Sequence, residues 1–195
     1  MPVRRSITAP DGVYFITVTC VRWLPLFKLV NGYDIIYKWF DILKQCGHYL
    51  IGYVIMPDHL HAVIAFSNSG KPIDSIVGNG KRFMAYEIVR RLQQQKLTSI
   101  LDQMKQWVNA TDARRNKQHE VFEPSFDWKQ CRNERFIVQK LSYMHWNPCR
   151  CEPQLAALPE NYIHSSAKFY LTGEQGIYKV TSYTELEDVD LTAKP

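Results

Sequence analysis

Residues 49–66 read YLIGYVIMPDHLHAVIAF and contain the clearest structural pattern in the chain. Two runs rich in β-branched and aromatic residues, Tyr49–Met56 and His59–Phe66, are separated only by Pro57 and Asp58. Runs of this composition predict β-strands, and a two-residue polar connection between them predicts a β-hairpin. The rest of the chain can be arranged around this hairpin.

The segment before the hairpin predicts one strand and one helix. Residues 14–20, YFITVTC, are β-rich and follow Asp11-Gly12, so they predict a buried strand. From Tyr33 to Leu43 the apolar residues recur at helical spacing, between Asn31 and Gly47 as end signals. The order up to residue 66 is therefore βαββ.

The segment after the hairpin predicts a second helix, a fourth strand and a third helix. Lys81–Gln95 carries a single apolar stripe, and Val121–Cys131 predicts the fourth strand after a charged excursion from Leu97. The result is an α+β fold, a ferredoxin-like βαββαβ antiparallel sheet. A helix capped by Asn133 and running towards Asn147 has no place in that unit, so we expect it on the opposite sheet face.

Length and composition predict one domain. The chain has 195 residues, 46% hydrophobic and 22% charged, which is enough for one core of ordinary size and excludes a disordered chain. We expect a single domain over residues 1–180 and an acidic, flexible tail over residues 181–195. No signal or membrane-spanning stretch is evident and the five cysteines form no framework, so we expect free thiols and a cytoplasmic protein.

Positive charge is concentrated in the middle of the chain. Residues 76–140 hold thirteen basic and seven acidic side chains, although the whole chain has a net charge of only +5. Such a segment either attracts a polyanion such as nucleic acid or forms a solvated helix face. The candidate DNA-binding residues are Lys81, Arg82, Arg90, Arg91, Arg114, Arg115 and Lys117.

The histidines of the hairpin are the first candidate site. His59 and His61 are two residues apart on a predicted strand, so both side chains project from one face, with Cα atoms about 6.5–7 Å apart. Two imidazoles at this spacing can share one metal ion. The alternative is a pair of histidines that only form hydrogen bonds at the sheet surface.

The last predicted helix holds the second candidate site. Tyr143 and Asn147 are four residues apart and share a helix face, and Lys140 lies one turn before Tyr143. The alternatives are that Tyr143 is a core aromatic and that Asn147 only ends the helix because Pro148 follows. Lys140 would then be a solvated charge.

Two other motifs do not predict a site. Gly78-Asn-Gly-Lys81 lacks the spacing of a phosphate-binding loop and predicts a turn before a helix. Cys149 and Cys151 lack a second ligand pair at zinc-finger spacing.

Several motifs together resemble the single-tyrosine HUH transposases, and most of all the REP-associated tyrosine transposases. The resemblance runs in order from about residue 10 to residue 170, and the joint occurrence of the His-hydrophobe-His strand and the Tyr-x-x-x-Asn-Pro helix is its most specific part. The matching stretches are Tyr14–Thr19, Met56–His61, Lys81–Phe83, Tyr143–Pro148 and Tyr162–Ser166.

The resemblance implies a site and a reaction. His59 and His61 would be metal ligands, Asn147 would supply a third ligand through its amide oxygen, and Tyr143 would be the nucleophile. The substrate would be single-stranded DNA with a hairpin, such as a REP-like palindrome, which is cut and rejoined through a 5′-phosphotyrosine. The mixed nitrogen and oxygen ligands suit Mn²⁺ or Mg²⁺. Independently of the resemblance, we expect Lys140 to contact the phosphate or stabilise the phenolate.

Other interpretations remain open from the sequence. A domesticated protein could bind DNA hairpins without cleaving them, and a ferredoxin-like RNA-binding module would display sheet aromatics such as Tyr14 and Phe15. Trp107, Trp128 and Trp146 are candidates for base stacking, with core packing as the alternative. The sequence leaves open a monomer or a homodimer with exchanged helices. For a DNA transposase we expect association with the nucleoid and no membrane.

Overall fold

The computed structural model describes residues 7–193 and contains one four-stranded antiparallel sheet. The strand order is β2-β3-β1-β4, so the two strands that each follow a helical crossover lie at the edges. This order confirms the predicted ferredoxin-like topology. The strands are β1 (Gly12–Thr19), β2 (Tyr49–Ile55), β3 (His59–Phe66) and β4 (Asp127–Gln130).

Helices connect the strands and extend the chain beyond them. The long helices α2 and α3 are the crossovers of the βαββαβ unit, and α6 follows β4. The helices are α1 (Leu26–Leu29), α2 (Tyr33–Gln45), α3 (Ile73–Gln94), α4 (Thr98–Gln106), α5 (Ala110–Ala113), α6 (Glu134–His145), α7 (Asn147–Arg150) and α8 (Ala167–Thr172), with 3₁₀ turns at Val21–Trp23, Pro159–Asn161 and Tyr183–Leu186.

Alternation along the strands divides the core between the two sheet faces. On β3, Leu60, Ala62, Ile64 and Phe66 belong to the core under α2 and α3, whereas Val63 and Ala65 belong to the core under α6. The period of two residues places His59 and His61 on the α6 face. The pair Thr17 and His61 then lies opposite one another across β1 and β3.

Helix α6 covers the opposite face, as predicted. Asn133 caps it by accepting a 2.9 Å hydrogen bond from the backbone N–H of Phe136. Gly52 on β2 makes room for the helix, because a Cβ there would collide with Leu141 and lie 2.7 Å from Met144 Cε. The absence of one side chain on β2 thus sets how closely α6 approaches the sheet.

Helix α3 begins earlier than predicted. It starts at Ile73 rather than at Lys81, so the stretch from Gly78 to Lys81 is helical and not a turn. Gly80 faces α2, and a Cβ there would collide with the indole ring of Trp39. The glycine is therefore explained by close helix packing, which outweighs its poor helix propensity.

The fourth strand is also shorter than predicted. β4 spans only Asp127–Gln130, and upstream of it Phe122 forms an isolated bridge with Cys20. Residues 123–126, including Pro124, separate the bridge to Cys20 from the pairing of β4 with β1. A proline lacks the N–H needed for a continuous ladder.

The acidic C-terminal segment, for which the sequence predicts a flexible tail, contacts the domain as far as Thr192. Ser182 and Glu185 form a capping box, and the ring of Tyr183 stacks on Tyr170. Leu186 and Leu191 pack on the core under α6, and the backbone of Leu191 accepts a 2.8 Å bond from Asn68. Apolar side chains interspersed among the acidic ones therefore attach this segment to the domain.

The cysteines form no disulfide bonds: all five are free thiols, as predicted. Within residues 7–193 no helix combines the length and hydrophobicity needed to cross a bilayer.

Candidate active site

The two histidines of β3 form the centre of the site. Their ring centroids are 4.8 Å apart. The Nδ1 atom of His59 lies 2.7 Å from Asp58 Oδ1, and the Nδ1 atom of His61 lies 2.7 Å from Thr17 Oγ1. In the tautomer in which each Nδ1–H donates, to Asp58 Oδ1 and to Thr17 Oγ1, the Nε2 atom of each ring has a lone pair that can bind a metal ion.

Burial determines the protonation state of His61. Its side chain is only 5% exposed, and this burial, with His59 and Lys140 nearby, lowers its pKa to about 3. The imidazole is therefore neutral at ordinary pH, which is the form that binds metal ions.

Tyr143 lies beside these histidines. Its ring centroid is 5.5 Å from that of His61 and 6.1 Å from that of Phe15, which stacks on His61. The Tyr143 side chain is nevertheless 50% exposed, so a large ligand can reach it.

Lys140 lies one turn before Tyr143 and faces the same rings. Its Nζ atom is 5.7 Å from the Tyr143 ring centroid and 5.1 Å from those of Phe15 and Phe136. This places a positive charge against the edge of the site through cation–π contacts.

Asn147 lies just beyond the end of α6. The helix ends at His145, and Asn147 begins the short helix α7 with Pro148 behind it. The side chain is partly exposed and makes no hydrogen bond within residues 7–193, so its amide oxygen is available. In that same part of the chain no cluster of three or more His, Cys, Asp or Glu residues suits a metal ion. An amide oxygen does not belong to that set of groups, and it can also bind a metal ion.

The stretch Tyr162–Ser166 holds α6 and β2 together. Ser166 Oγ lies 2.8 Å from His145 Nε2 and accepts a bond from the backbone N–H of Tyr53, while the Tyr162 hydroxyl donates to the carbonyl of Ile55. Ser165 pairs with Val54 at the outer edge of β2. This motif therefore positions the helix that carries Tyr143, a role that sequence alone does not reveal.

Three of the predicted DNA-binding cations form hydrogen bonds or ion pairs within the protein. Lys81 donates to the carbonyls of Glu123 and Ser125. Arg91 pairs with Asp34 and Glu87, and Lys117 pairs with Asp112 and the buried Glu120. Their charges satisfy internal acceptors, and a count of charges along the sequence cannot detect such partners.

The other four predicted cations are exposed. Arg90 pairs with Glu87 but remains half exposed, and Arg82 lies against Phe83. A groove of about 590 Å³ between α3 and residues 115–124 is lined by Arg82, Arg90 and Arg115. Arg114 is exposed next to it. These side chains form a positively charged wall that is open to solvent.

A second groove lies at the beginning of α6, where the sequence analysis predicts no site. It has a volume of about 680 Å³ and is lined by Arg132, Arg135 and Phe136, among others. Phe136 connects it to the site through Lys140. In the sequence, this groove could have been found from Arg132 and Arg135, which lie on either side of the helix cap Asn133.

The aromatic residues differ in their access to solvent. Trp107 and Trp128 pack against the core, whereas Trp146 is 39% exposed under Arg150. Tyr14 and Phe15 are buried on opposite faces of the sheet. The sheet therefore lacks the exposed aromatics of an RNA-binding module at these positions, which argues against that alternative.

The fold resembles that of a solved protein that binds DNA. A REP-associated tyrosine transposase bound to a REP hairpin superposes with a TM-score of 0.59 at 15% identity, over 99% of this chain and 94% of that chain. A putative transposase from Deinococcus radiodurans is more distant, with a TM-score of 0.41 and 16% identity over 73% and 95% of the two chains. No family model and no curated protein matches the chain. The chain therefore shares the fold of a REP-associated tyrosine transposase, as its motifs predicted.

Proposed function

We propose that this protein is a metal-dependent strand transferase that cuts and rejoins hairpin-containing single-stranded DNA, with Tyr143 as the nucleophile. The observation that carries the proposal is the contact between the Tyr143 ring and His61 within a single chain, next to the second histidine. A half-exposed tyrosine beside two imidazoles with free Nε2 atoms is suited to attack on a phosphodiester.

The proposed reaction exchanges one ester for another. The phenol oxygen of Tyr143 forms a bond to phosphorus while the bond from phosphorus to the 3′ oxygen breaks. The phenol loses its proton and the departing 3′ oxygen gains one, which leaves a 5′-phosphotyrosine and a free 3′-hydroxyl. Attack by a 3′-hydroxyl on the phosphotyrosine reverses the step, so rejoining needs no ATP.

His59, His61 and Asn147 are the residues proposed to hold a divalent ion, Mg²⁺ or Mn²⁺. The fit rests on the two free Nε2 atoms, on the neutral state of His61 and on the available amide of Asn147. When bound, such an ion polarises a phosphoryl oxygen. Thr17 and Asp58 keep the two rings oriented.

Lys140 is proposed to favour the charged states of the reaction. Its ammonium group lies against the Tyr143 ring, where it attracts a phenolate and the DNA phosphate alike. We therefore assign it an electrostatic role beside the nucleophile.

Two grooves are proposed to guide the DNA. Arg132 and Arg135 would contact the single strand near Tyr143, and Arg82, Arg90 and Arg115 would contact hairpin phosphates. The REP hairpin bound to the transposase of the same fold supports a hairpin as the partner. The choice between a monomer and a homodimer remains a prediction, as does a cytoplasmic location with nucleoid association.

The test is formation of a covalent adduct. Wild type, Tyr143→Phe and Tyr178→Phe are incubated with labelled hairpin oligonucleotides from the DNA flanking the gene, with Mn²⁺ or Mg²⁺, and analysed on a denaturing gel. Tyr178→Phe is a matched control that removes a hydroxyl group near α2, bonded to Asp41. We expect an adduct with wild type and Tyr178→Phe and none with Tyr143→Phe.

Each other outcome has a defined meaning. An adduct with Tyr143→Phe would overturn the assignment of the nucleophile. Tight hairpin binding by a wild-type protein that forms no adduct would favour a domesticated protein that binds hairpins without cleaving them.

A further inference from the structure

Trp23 lies next to the candidate site, although no sequence motif singles it out. It is 60% exposed, the most exposed of the five tryptophans. Its ring centroid is 5.4 Å from that of His59, in an edge-to-face arrangement. Ring contacts thus run in the order Trp23, His59, His61 and Tyr143.

The backbone at Trp23 is strained. Arg22 and Trp23 both have positive φ angles, +49° and +58°, which side chains larger than glycine rarely adopt. Two consecutive residues of this kind persist only where surrounding contacts hold them. A strained position that exposes a large apolar ring beside a reactive site points to a role for that ring.

The surrounding contacts hold the strained turn in place. The backbone N–H of Arg22 donates to Glu123 Oε1 at 2.9 Å, and that of Val21 donates to the carbonyl of Val121 at 2.9 Å. The guanidinium of Arg22 lies 4.7 Å from the Trp107 ring centroid. These contacts fix the turn to the segment that precedes β4 and direct Trp23 into solvent.

We propose that Trp23 is a positioning residue that stacks on the base of a nucleotide adjacent to the scissile phosphate. The inference rests on the proposed function, since it takes the phosphate to lie at the histidines. A base stacked on Trp23 would anchor the strand on the His59 side while Tyr143 attacks near His61. Stacking is tolerant of sequence, because every base has a flat π face.

The first experiment measures adduct formation with Trp23→Ala, Trp23→Phe and the control Ile177→Ala, which alters a side chain of equal exposure. Substrates are the intact hairpin oligonucleotide and versions with an abasic nucleotide on either side of the scissile phosphate. We expect Trp23→Ala to lower the rate about 10- to 100-fold on intact DNA, and Trp23→Phe to keep most of it. On one of the abasic substrates wild type and Trp23→Ala should react at the same rate.

The inference is overturned if Trp23→Ala has the same effect on all three substrates, or no effect on any. A general loss of this kind would indicate that Trp23 only supports the shape of the site.

The second experiment does not depend on cleavage. Tyr143→Phe protein, with and without Trp23→Ala, is titrated into hairpin DNA that carries 2-aminopurine at a position flanking the scissile phosphate. We expect a fluorescence change that disappears with Trp23→Ala. If this holds while wild type forms no adduct, the proposed function fails and the stacking role stands. If adducts form but the fluorescence change is independent of Trp23, the stacking role alone fails.

Discussion

The two faces of the sheet are built differently. Under α2 and α3 the core is large and almost entirely apolar, with fully buried rings such as Phe27, Phe40 and Phe66. Under α6 the core is smaller, and at one end it gives way to His59, His61 and the half-exposed Tyr143. The α2/α3 face supplies most of the buried apolar surface. The α6 face combines a modest core with imidazole and phenol groups that can bind or react with a ligand.

In this small domain, one face of the sheet provides most of the stability and the other face carries the candidate reactive groups. Buried polar groups cost stability unless they have partners, and the two buried histidines on the α6 face each have one. His61 is bonded to Thr17, and His145 is bonded to Ser166. Because side chains alternate along β3, this strand contributes apolar residues to the α2/α3 face and the two histidines to the α6 face.

The largest expected effect on stability comes from breaking the α2/α3 face. Phe40→Ala should lower the free energy of unfolding by about 3–5 kcal/mol, because it removes a fully buried ring. Tyr143→Phe should change it by less than about 0.5 kcal/mol, because it removes only the hydroxyl group of a half-exposed side chain. Denaturant titration monitored by circular dichroism measures both. Equal losses would contradict the division of roles between the faces.

Two glycines provide a matched comparison of the helix contacts. Gly52→Ala pushes α6 away from β2, and Gly80→Ala pushes α2 from α3, each costing about 1–3 kcal/mol by overpacking. Only Gly52→Ala should also lower the rate of adduct formation in fully folded protein, because only α6 carries Tyr143. Similar activity for the two variants at a temperature where both are folded would argue against this coupling.

The hydroxyl of Thr17 should increase the affinity for metal ions and contribute little to the packing of the core. Thr17→Val removes the partner of His61 Nδ1, so we expect Mn²⁺ affinity to fall about 10- to 100-fold. Thr17→Ser keeps a hydroxyl group and should restore most of the affinity. Calorimetric titration of the three proteins with Mn²⁺ measures this, and an unchanged affinity in Thr17→Val would remove Thr17 from the site.

The smallest expected effect is a pH dependence of the free energy of unfolding that arises from Glu87, on the α2/α3 face. Hydrogen bonds from Arg90, and next from Arg91, lower the pKa of Glu87 to about 2 from its ordinary 4.5. The folded state therefore favours the carboxylate, so this stabilisation is complete above pH 4.5 and is lost as the pH falls towards 2. Glu87 is partly exposed, so we expect about 1 kcal/mol or less.

Comparison with a neutral variant isolates this contribution. Glu87→Gln should show a shallower loss of unfolding free energy between pH 4.5 and pH 2 than wild type does. Identical pH profiles of the two proteins would show that the ion pairs with Arg90 and Arg91 contribute nothing measurable.

Sequence patterns predicted the topology because they report local geometry. The alternation in residues 49–66 and the apolar stripes of α2 and α6 each specify a buried face without reference to distant residues. They failed where a distant contact overrides local preference. Gly78 and Gly80 suggest a turn, yet α3 continues through them because Trp39 fills the space at Gly80.

Local patterns in the sequence were sufficient to predict the order of strands and helices along the chain, the helix on the second face and the shared side of His59 and His61. They were sufficient because periods of 2 and 3.6 residues fix which side chains are neighbours. The contact of Tyr143 with His61, the internal partners of Lys81, Arg91 and Lys117, and the position of Trp23 beside His59 became evident from the tertiary structure alone. These facts depend on residues far apart in the chain, whose proximity follows from packing rather than from local pattern.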